Sequence, residues 1–493
     1  MRKVAVGIAV ACGVAAAAVV VLRRMKKAGK WVKAMEIVKD FEEKCATPLS
    51  RLRQVLDAMI VEMQAGLASE GGSKLNAHQL CGQFAYWFSL PTLGKRRDCF
   101  MHWTLVELIS VCYDWYSEGR VVVSSINNLW SVDSDEFDDR VFIGSKLAKF
   151  VAQEGPDFKP TPGRQRELGF TFSFPVVQTS LASGTLLKWT KGFSINEAVG
   201  RDVVDELTKA MERHGLDMRV SAFVNDTIGT LASGRYADND VVDAVILGTG
   251  SKAAYVERAD AIPKGHGPLP RSGEMVINME WGNFKLAHLL LSEYDLELDA
   301  ESLNPGDQIF EKVMSGMYLG EIVRRVLNWM AKEAAFFGDT VPPKLKVLFI
   351  LGTPAISAMH QDTSPDLKVV ASHIKDIFEI SNTSLKMRQV IVRICSIVAM
   401  RGARLSAAGI LSILWNMGRD TITGGEKRRT AIAMDGGLYE HYTEYRKCLV
   451  NCLNELLGKE VFESVVLKLS KDGSGIGAAI LAASHSKYLG WDD

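Results

Sequence analysis

The chain has 493 residues, with 58 basic and 58 acidic side chains and a formal net charge of zero. Hydrophobic residues make up 47% and charged residues 24%, an ordinary globular composition that predicts two or three domains. The balanced charge argues against nucleic acid as a partner, because no basic block outside the first 30 residues could follow a phosphate backbone. Eight cysteines without a Cys-x-x-Cys pair indicate reduced thiols and no metal-binding residues.

The N-terminus carries an apolar run followed by positive charge. Residues 4–22 contain no charged side chain, and at about 1.5 Å per residue they are just long enough to cross a hydrocarbon layer of about 30 Å. Five basic residues follow within residues 23–30, so the positive-inside rule places the body of the chain in the cytosol. A cleaved secretory signal is the alternative, but it would carry its charge before a shorter run. We predict a membrane anchor at residues 1–30, in the mitochondrial outer membrane or alternatively a plastid envelope.

The rest of the chain divides into three stretches. Residues 33–67 show helical spacing with a break at Thr47-Pro48, and residues 76–146 show little periodicity. From Glu167 onward, predicted strands alternate with predicted helices. The predicted strands are 168–173, 219–224, 244–247, 344–351, 430–434 and 464–469, and the predicted helices are 197–213, 387–411 and a small-residue helix after Gly475. Strands that lead into glycine-rich turns and then helices indicate an α/β fold.

Two glycine-rich turns are candidate phosphate sites. Gly248-Thr249-Gly250-Ser251 follows a strand, and Asp472-Gly473-Ser474-Gly475 opens a helix. Backbone N–H groups at such turns can approach phosphate oxygens, and a helix N-terminus favours an anion. Each turn taken alone is weak evidence, because glycines after strands usually serve ordinary chain reversal.

Three acidic residues are candidates for holding hydroxyl groups. Asp226, within Asn225-Asp226-Thr227, ends a strand, where it could act as a general base or where the pair could simply cap a helix. Glu280 and Glu311 each lie among apolar neighbours, although exposed acids on helices are the alternative for either one alone.

These pieces occur together in one order, and the order carries a family resemblance. The stretches are LGFTFSFPVVQTSLASGTLLKWTK (168–191), VNDTIGTL (224–231), LGTGS (247–251), NMEWGNF (278–284), FEKVMSGMYLGEIVRR (310–325) and DGSGIGAA (472–479). They resemble the hexokinase family over about four-fifths of the chain, 31–75 and about 147 to the end. The N-terminal apolar run is similar to that of its membrane-anchored plant members.

The resemblance implies an actin-like ATPase (ribonuclease H-like) α/β fold with two lobes that close over sugar and ATP. It also implies a domain order. We expect an anchor (1–30), a helical segment of the large lobe (31–75), a small lobe (76–222), a large lobe (223–460) and a C-terminal return to the small lobe and the adenosine edge (461–493).

The resemblance also implies residue roles. Asp226 would be the general base that takes the proton of the sugar 6-hydroxyl. Glucose and other hexoses would be held by Ser173, Thr190, Lys191, Asn225, Asp226, Gly248, Glu280 and Glu311. ATP, accompanied by Mg²⁺, would be held by Gly248, Thr249, Gly250, Ser251, Gly436, Gly473 and Ser474. No obligate protein partner is predicted.

The chain departs from the family pattern in two places. The family's first phosphate loop, LDLGGTNFR, should fall near position 105, but residues 102–115 read HWTLVELISVCYDW. One choice of codons for this peptide, read one base away, encodes ALDLGGTNFRVLRL, and residues 76–87 can likewise be recoded as MLISYVDNLPTG. We infer that residues from about 76 to at most 146 are read out of frame, and we expect the small-lobe sheet to lack its first strand and to be disordered or misassembled there. In addition, Lys252 replaces the family's asparagine beside the sugar, which predicts weaker sugar binding.

Three functional interpretations follow. The first is a working hexokinase that makes glucose 6-phosphate, supported by the motifs around Asp226. The second is a non-catalytic glucose sensor or membrane scaffold, supported by the missing loop and Lys252. The third is an error in the gene model of an ordinary hexokinase.

Overall fold

The computed structural model describes residues 28–69, 99–104, 110–117, 120–127, 139–153, 160, 162–189, 195–265, 269–270, 272–285, 291–422 and 428–488. The helices are α1 (28–45), α2 (Leu49–Ala68), α3 (Asp139–Ala152), α4 (Val203–Arg213), α5 (Asp226–Ala237), α6 (Glu293–Ala300), α7 (Ile309–Met314), α8 (Leu319–Ala334), α9 (Thr353–His360), α10 (Lys368–Phe378), α11 (Leu385–Asn416), α12 (Gly437–His441), α13 (Thr443–Leu457), α14 (Lys459–Phe462) and α15 (Gly473–Ser484). Residues 1–27 of the predicted N-terminal anchor lie outside the described residues.

The strands form two five-stranded sheets and a small hairpin. They are β1 (Cys99–Thr104), β2 (Ser110–Ser117), β3 (Arg120–Asn127), β4 (Arg166–Thr171), β5 (Val176–Ser180), β6 (Ser183–Leu186), β7 (Met218–Val224), β8 (Val241–Leu247), β9 (Ser251–Arg258), β10 (Glu274–Met279), β11 (Thr430–Asp435) and β12 (Val465–Leu469). The first sheet has the order β3-β2-β1-β4-β7, the second has the order β10-β9-β8-β11-β12, and β5 pairs with β6.

The two sheets have the same topology. In each, three antiparallel strands are followed by two parallel ones: β1 pairs antiparallel with β2 and parallel with β4, while β8 pairs antiparallel with β9 and parallel with β11. The β1–β2 hairpin therefore occupies the position in its sheet that the β8–β9 hairpin occupies in the other. The α/β fold class is confirmed.

The first sheet contradicts one expectation. The small-lobe sheet was expected to lack its first strand, yet β1 pairs with β4 from Phe100 opposite Glu167 to Thr104 opposite Thr171, and β2 and β3 extend the same sheet. Backbone hydrogen bonds need no particular side chains, and residues 99–127 are rich in the aromatic and β-branched residues that favour strands. A segment without the family's phosphate-loop motif therefore still supplies strands, although residues 105–109 lie outside the described residues.

Helices α5 and α15 lie between the two sheets. A core of small and branched side chains joins them to both sheets, including Ala222, Ala244, Ala433 and Ala478. The contact is close enough that a Cβ built on Gly477 would lie 1.7 Å from the carbonyl oxygen of Gly229, so only glycine permits the crossing of α5 and α15. The two helices are thereby held with their N-termini side by side.

The largest core surrounds α11. This 32-residue helix begins after Ser384, whose side chain accepts the Met387 N–H, and its apolar side chains pack against α2, α8, α13 and one face of the second sheet. Among the described residues it is the one helix long and apolar enough to cross a membrane, but most of it is buried in this core. The helical prediction for 33–67, with its break at Thr47-Pro48, is confirmed by α1 and α2.

Two element predictions need correction. Residues 344–351 form no strand: a 3-10 turn covers Pro343–Lys346, and side chains of α8 take the backbone groups that follow. Arg324 donates to the Leu345 carbonyl, and Glu321 accepts the Phe349 N–H at 2.8 Å, so an apolar run flanked by prolines is misread as a strand. The helix predicted at 197–213 begins only at Val203, after a 3-10 turn, because the Asp202 side chain caps it there.

The C-terminal segment is divided between the sheets. The domain order predicts that residues 461–493 return to the small lobe, but β12 lies in the second sheet, parallel to β11. Helix α15 packs against β4, β1 and β7 of the first sheet as well as against α5. The backbone groups of β12 need hydrogen-bond partners, and the free edge of β11 in the second sheet supplies them.

Candidate functional site

The site begins where β7 ends and α5 starts. Asn225 caps α5: its Oδ1 accepts the Thr227 backbone N–H at 3.2 Å and the Thr227 hydroxyl at 2.7 Å. The cap interpretation is therefore confirmed for Asn225. Asp226 occupies the first helical position, is largely buried, and accepts the Thr227 N–H at 2.9 Å. A carboxylate at a helix N-terminus is stabilised by the helix dipole, so Asp226 is set at a position that favours its charged form.

Asn278 connects this helix start to Glu280. The single hydroxyl proton of Thr227 is shared between Asn225 Oδ1 at 2.7 Å and Asn278 Oδ1 at 3.0 Å, and Asn278 Nδ2 donates to Glu280 Oε1 at 3.2 Å. Glu280 follows β10 directly, so the strand end and the helix start share one hydrogen-bonded chain. Glu280 therefore lies at the site, as predicted. Its neighbour Asn278 supports it there, although the sequence analysis did not include Asn278 among the site residues.

Glu311 reaches the same place from α7. Its Oε2 accepts the Ser251 backbone N–H at 2.8 Å, and Trp281 Nε1 donates to the Ser251 hydroxyl at 2.8 Å. Glu311, Ser251 and Trp281 are all buried, so these hydrogen bonds are formed away from solvent, where they are strongest. The start of β9 is thereby tied to both α7 and the turn after β10.

Lys252 lies at the centre of the acidic residues. Its Nζ donates to the Ser173 carbonyl at 3.1 Å and lies 3.5 Å from Glu280 Oε1 and 3.7 Å from Asp226 Oδ1. Burial lowers the pKa of this ammonium, but the charges of Asp226, Glu280 and Glu311 outweigh burial and leave the pKa above its ordinary value. Lys252 is therefore a cation in this pocket at all physiological pH values.

Ser173 provides a further polar group beside Lys252. It is buried, and its hydroxyl oxygen has no hydrogen-bond partner among the residues that the structure describes. A buried hydroxyl without a protein partner is expected to bond to a ligand or to water. The predicted sugar-holding residue therefore has an open hydrogen-bonding position.

The predicted phosphate turn connects β8 to β9. The Gly248 N–H donates to the Gly250 carbonyl at 3.0 Å, which closes the turn. Its outer carbonyls are used by the segment before α8, since Gly316 and Met317 N–H groups donate to Gly248 and Thr249 at 2.8 and 3.1 Å. The turn is thus anchored on one side.

A second carboxyl lies where β11 ends, beside the N-terminus of α15. Asp435 accepts the Gly436 N–H at 2.7 Å and the Ser474 N–H at 3.4 Å, and the Thr230 hydroxyl lies 3.5 Å away. Burial raises the pKa of Asp435 to about 6. Gly436 has a φ of +99°, and a Cβ built on it would lie 2.4 Å from the Leu247 carbonyl oxygen, so this turn touches the phosphate turn. The predicted nucleotide residues Gly248, Gly436, Gly473 and Ser474 therefore belong to one surface.

The structure brings most predicted site residues together. Ser173, Asn225, Asp226, Glu280 and Glu311 surround Lys252 or its partners, and Gly248, Thr249, Gly250, Ser251, Gly436, Gly473 and Ser474 lie beside them. Thr190 and Lys191 lie outside the described residues. Sequence reasoning missed Asn278 and Asp435, although both stand at or next to a strand end, where Asp226 and Glu280 also stand.

Comparison with known proteins gives the family. Two family profiles described as hexokinase match residues 133–236 and 243–484. The chain is 60% identical over 503 aligned residues to Hexokinase-2 of Arabidopsis thaliana, which covers 100% of this chain and 99% of that protein. It is 58% identical to Hexokinase-1 of Spinacia oleracea, with both proteins covered over 100% of their length.

Solved structures agree in fold. A hexokinase from Schistosoma mansoni complexed with glucose superposes with a TM-score of 0.80 at 28% identity, over 93% of this chain and 99% of that chain. Another hexokinase crystal structure superposes with a TM-score of 0.72 at 27% identity, over 92% of this chain and 99% of that one. The two-sheet architecture is therefore the actin-like fold of these enzymes. With matches of this length, the chain belongs to the hexokinase family of plants, whose activity is the ATP-dependent phosphorylation of hexoses.

Proposed function

We propose that this chain binds glucose and related hexoses in the pocket around Asp226 and transfers the terminal phosphoryl group of ATP to the sugar 6-hydroxyl. The observation that carries the proposal is the convergence of Asp226, Glu280 and Glu311 from three separate elements on one buried point. Buried carboxylates need hydrogen-bond donors, and the hydroxyls of a sugar supply them.

Each side chain then has a role that its position allows. Asp226 accepts the proton of the attacking hydroxyl as a general base. Glu280 and Glu311 accept hydrogen bonds from other sugar hydroxyls, and the Ser173 hydroxyl offers its open position. Asn225, Thr190 and Lys191 complete the proposed sugar contacts.

The nucleotide is proposed to lie across the neighbouring glycine turns. In the turn at Gly248–Ser251, the Gly248 and Ser251 N–H groups already bond to the Gly250 carbonyl and to Glu311, so the proposed phosphate donors are the Thr249 and Gly250 N–H groups. The N-terminus of α15 at Gly473 and Ser474 also favours phosphate. The close approach of Gly436 to Leu247 leaves no room for a side chain there, which holds the Gly436 turn directly against the phosphate turn. Mg²⁺ is proposed to arrive with the ATP phosphates, where it neutralises their charge and orients the transferred group.

The test is Asp226→Asn, which keeps the shape of the side chain and removes its basicity. We expect glucose to bind and the rate of glucose 6-phosphate formation to fall by roughly 10²–10⁴-fold, because a general base contributes about that much. Asp376→Asn, on the exposed face of α10, is the matched control and should leave the rate unchanged. An unchanged rate in Asp226→Asn would assign the base to another residue.

A second candidate function has two observations in its favour. The hexokinase profiles begin at residue 133, so the segment predicted to be out of frame lies almost entirely before the first match. Lys252, moreover, pairs with the proposed base. Both favour a glucose-binding protein with little phosphoryl transfer, acting as a sensor or scaffold. Sequencing the transcript across the codons for residues 72–150 separates the two functions. A one-base difference that restores DLGGTN supports an ordinary hexokinase. A transcript that encodes the present amino-acid sequence supports the sensor.

We also propose that residues 1–30 anchor the protein to a membrane with the body facing the cytosol, at the mitochondrial outer surface. The support is the uncharged run at 4–22 followed by five basic residues. The test is a fluorescent fusion of the full chain compared with one that lacks residues 1–30. The full chain should co-purify with mitochondria and resist alkaline carbonate extraction, while the shortened chain should not. Labelling of plastid envelopes would move the anchor there.

A further inference from the structure

The position of Lys252 carries an inference that rests on the proposed sugar site and goes further. Its ammonium is surrounded on several sides by acceptors: the Ser173 carbonyl at 3.1 Å, Glu280 at 3.5 Å and Asp226 at 3.7 Å. The side chain is only 8% exposed, so these contacts are made without water between most of the groups. The lysine stem therefore ends inside the pocket and not on its rim.

The acceptors that Lys252 uses are the ones a sugar would need. A hydroxyl hydrogen-bonded to Asp226 or Glu280 would sit about 2.7 Å from their oxygens, and the Lys252 ammonium already lies within 4 Å of both. The ammonium faces one oxygen of each carboxylate, Asp226 Oδ1 and Glu280 Oε1. A sugar hydroxyl that bonds to these oxygens from the side on which Lys252 lies must displace the ammonium.

Moving the stem has an electrostatic cost. Lys252 is the cation among Asp226, Glu280 and Glu311, and withdrawing it leaves two buried carboxylates and a partly buried one without this positive neighbour. Hydrogen bonds that involve a charged group are worth more than those between neutral groups, and breaking one in a buried site is costly. The sugar hydroxyls replace the ammonium only with neutral donors.

We infer that Lys252 is a built-in competitor for the sugar: its ammonium fills the hydroxyl positions on Asp226 and Glu280 and must leave before a hexose binds. The same contact pairs the general base with a cation. Lys252 is thus a specificity-determining residue that sets how tightly this chain holds glucose, separately from any effect of residues 76–146 on phosphoryl transfer.

The test is glucose titration by calorimetry of the full chain and of three variants, each first checked for folding by thermal melting. Lys252→Asn, which is short and uncharged, should bind glucose roughly tenfold or more tightly than the unaltered chain, since a charge-assisted contact no longer has to break. Lys252→Met keeps the stem and removes the charge, so it should gain less. Lys468→Asn, which removes a lysine paired with Asp238 far from the pocket, should bind as the unaltered chain does.

The outcomes separate this inference from the proposed function. If the unaltered chain and Lys252→Asn bind glucose equally, the competitor role is wrong and the glucose site stands. If neither binds glucose, the glucose site itself is wrong, and the inference falls with it. Should Lys252→Asn fail to fold, Lys252→Gln takes its place with the same expected direction. In any active form of the enzyme, Lys252→Asn should also shift the acid limb of the rate–pH profile to higher pH, because the base loses its cation.

Discussion

The two five-stranded sheets share one topology, but they differ in what their leading hairpins present. In the second sheet the connection between β8 and β9 reads Gly248-Thr249-Gly250, with two glycines that allow the backbone to approach a phosphate. In the first sheet the corresponding connection between β1 and β2 reads LVELI at 105–109, without a glycine. The comparison shows that strand pairing tolerates almost any β-prone sequence, whereas a phosphate-binding turn requires particular residues.

The difference between the two hairpins is tested most directly by giving the first hairpin the residues of the family's phosphate loop. Replacing residues 102–115 with ALDLGGTNFRVLRL should raise kcat for glucose phosphorylation by roughly 10²–10³-fold, the size of effect that transition-state donors usually have. The measurement is a coupled assay of glucose 6-phosphate formation.

A scrambled version of the same 14 residues is the control, and it should leave kcat where it is. Equal rates for all three proteins would mean that the first hairpin does not limit catalysis, and the sensor interpretation would then need another cause.

The helix that joins the sheets offers the next largest effect. Gly477→Ala places a methyl group where the Gly229 carbonyl lies 1.7 Å away, so α15 must shift from α5. We expect a loss of about 2–3 kcal/mol in the free energy of unfolding by urea, which is typical of overpacking. Gly29→Ala, which meets nothing within 4 Å, should lose nothing. Equal stability of the two variants would show that the crossing can relax.

Removing a carboxyl group buried within the second sheet should have a smaller effect, and it should increase the stability of the protein. Asp243 on β8 is fully buried, burial raises its pKa well above the ordinary value, and neither carboxyl oxygen makes a well-formed hydrogen bond within the described part of the chain. A raised pKa means that stability present below about pH 3.8 is lost as the pH rises. Asp243→Ala should therefore gain about 2 kcal/mol in urea unfolding at pH 8 and much less at pH 4.

Asp243→Asn separates charge from polarity in this test. It should remove the pH dependence but keep the cost of an unsatisfied buried polar group, so its gain at pH 8 should be smaller than that of alanine. If both variants are less stable than the unaltered chain at pH 8, Asp243 has a partner that stabilises it.

The smallest expected effect on stability is at Asp435, a carboxyl group of the candidate site whose pKa is also raised by burial. Burial raises the pKa of this carboxyl to about 6, so the folded state loses stability as the pH rises from about 3.8 through 6. Asp435→Asn should gain about 1 kcal/mol at pH 8 and nothing at pH 4. The gain is smaller than the roughly 3 kcal/mol to which a rise in pKa from 3.8 to about 6 corresponds, because the Gly436 and Ser474 N–H groups bond to different carboxyl oxygens and asparagine keeps only one acceptor oxygen. Thermal melting at the two pH values checks this, and a gain of equal size at both would exclude a titration of Asp435.

The sequence predicts the second sheet and its site better than the first. Runs such as 244–247 and 430–434 end in glycine-rich turns, and these turns indicate strands that lead to a site. The run at 344–351 has the same apolar character and also leads into a glycine, Gly352, but α8 takes its backbone groups, so the local pattern alone does not distinguish it from a strand. The pairing of β1 with β4 could not be predicted from residues 99–104, because the partner strand and not the local sequence decides it. Lys252 could be flagged from the family pattern, but its contact with Ser173 and Glu280 depends on elements nearly 80 and 28 residues away.

The crossing of α5 and α15 also bears on how the protein is made. Gly229 and Gly477 are 248 positions apart in the chain, yet Gly477 lies against the Gly229 carbonyl and Gly229 lies against the Ser474 carbonyl, with no room for a side chain at either contact. On the ribosome, the helix that begins with Asp226 emerges long before the helix that seats it, so the pocket cannot be complete while most of the chain is being synthesised. During that interval the faces of α5 and of the first sheet that α15 later covers are exposed, and they are the surfaces that a chaperone would have to protect until α15 arrives.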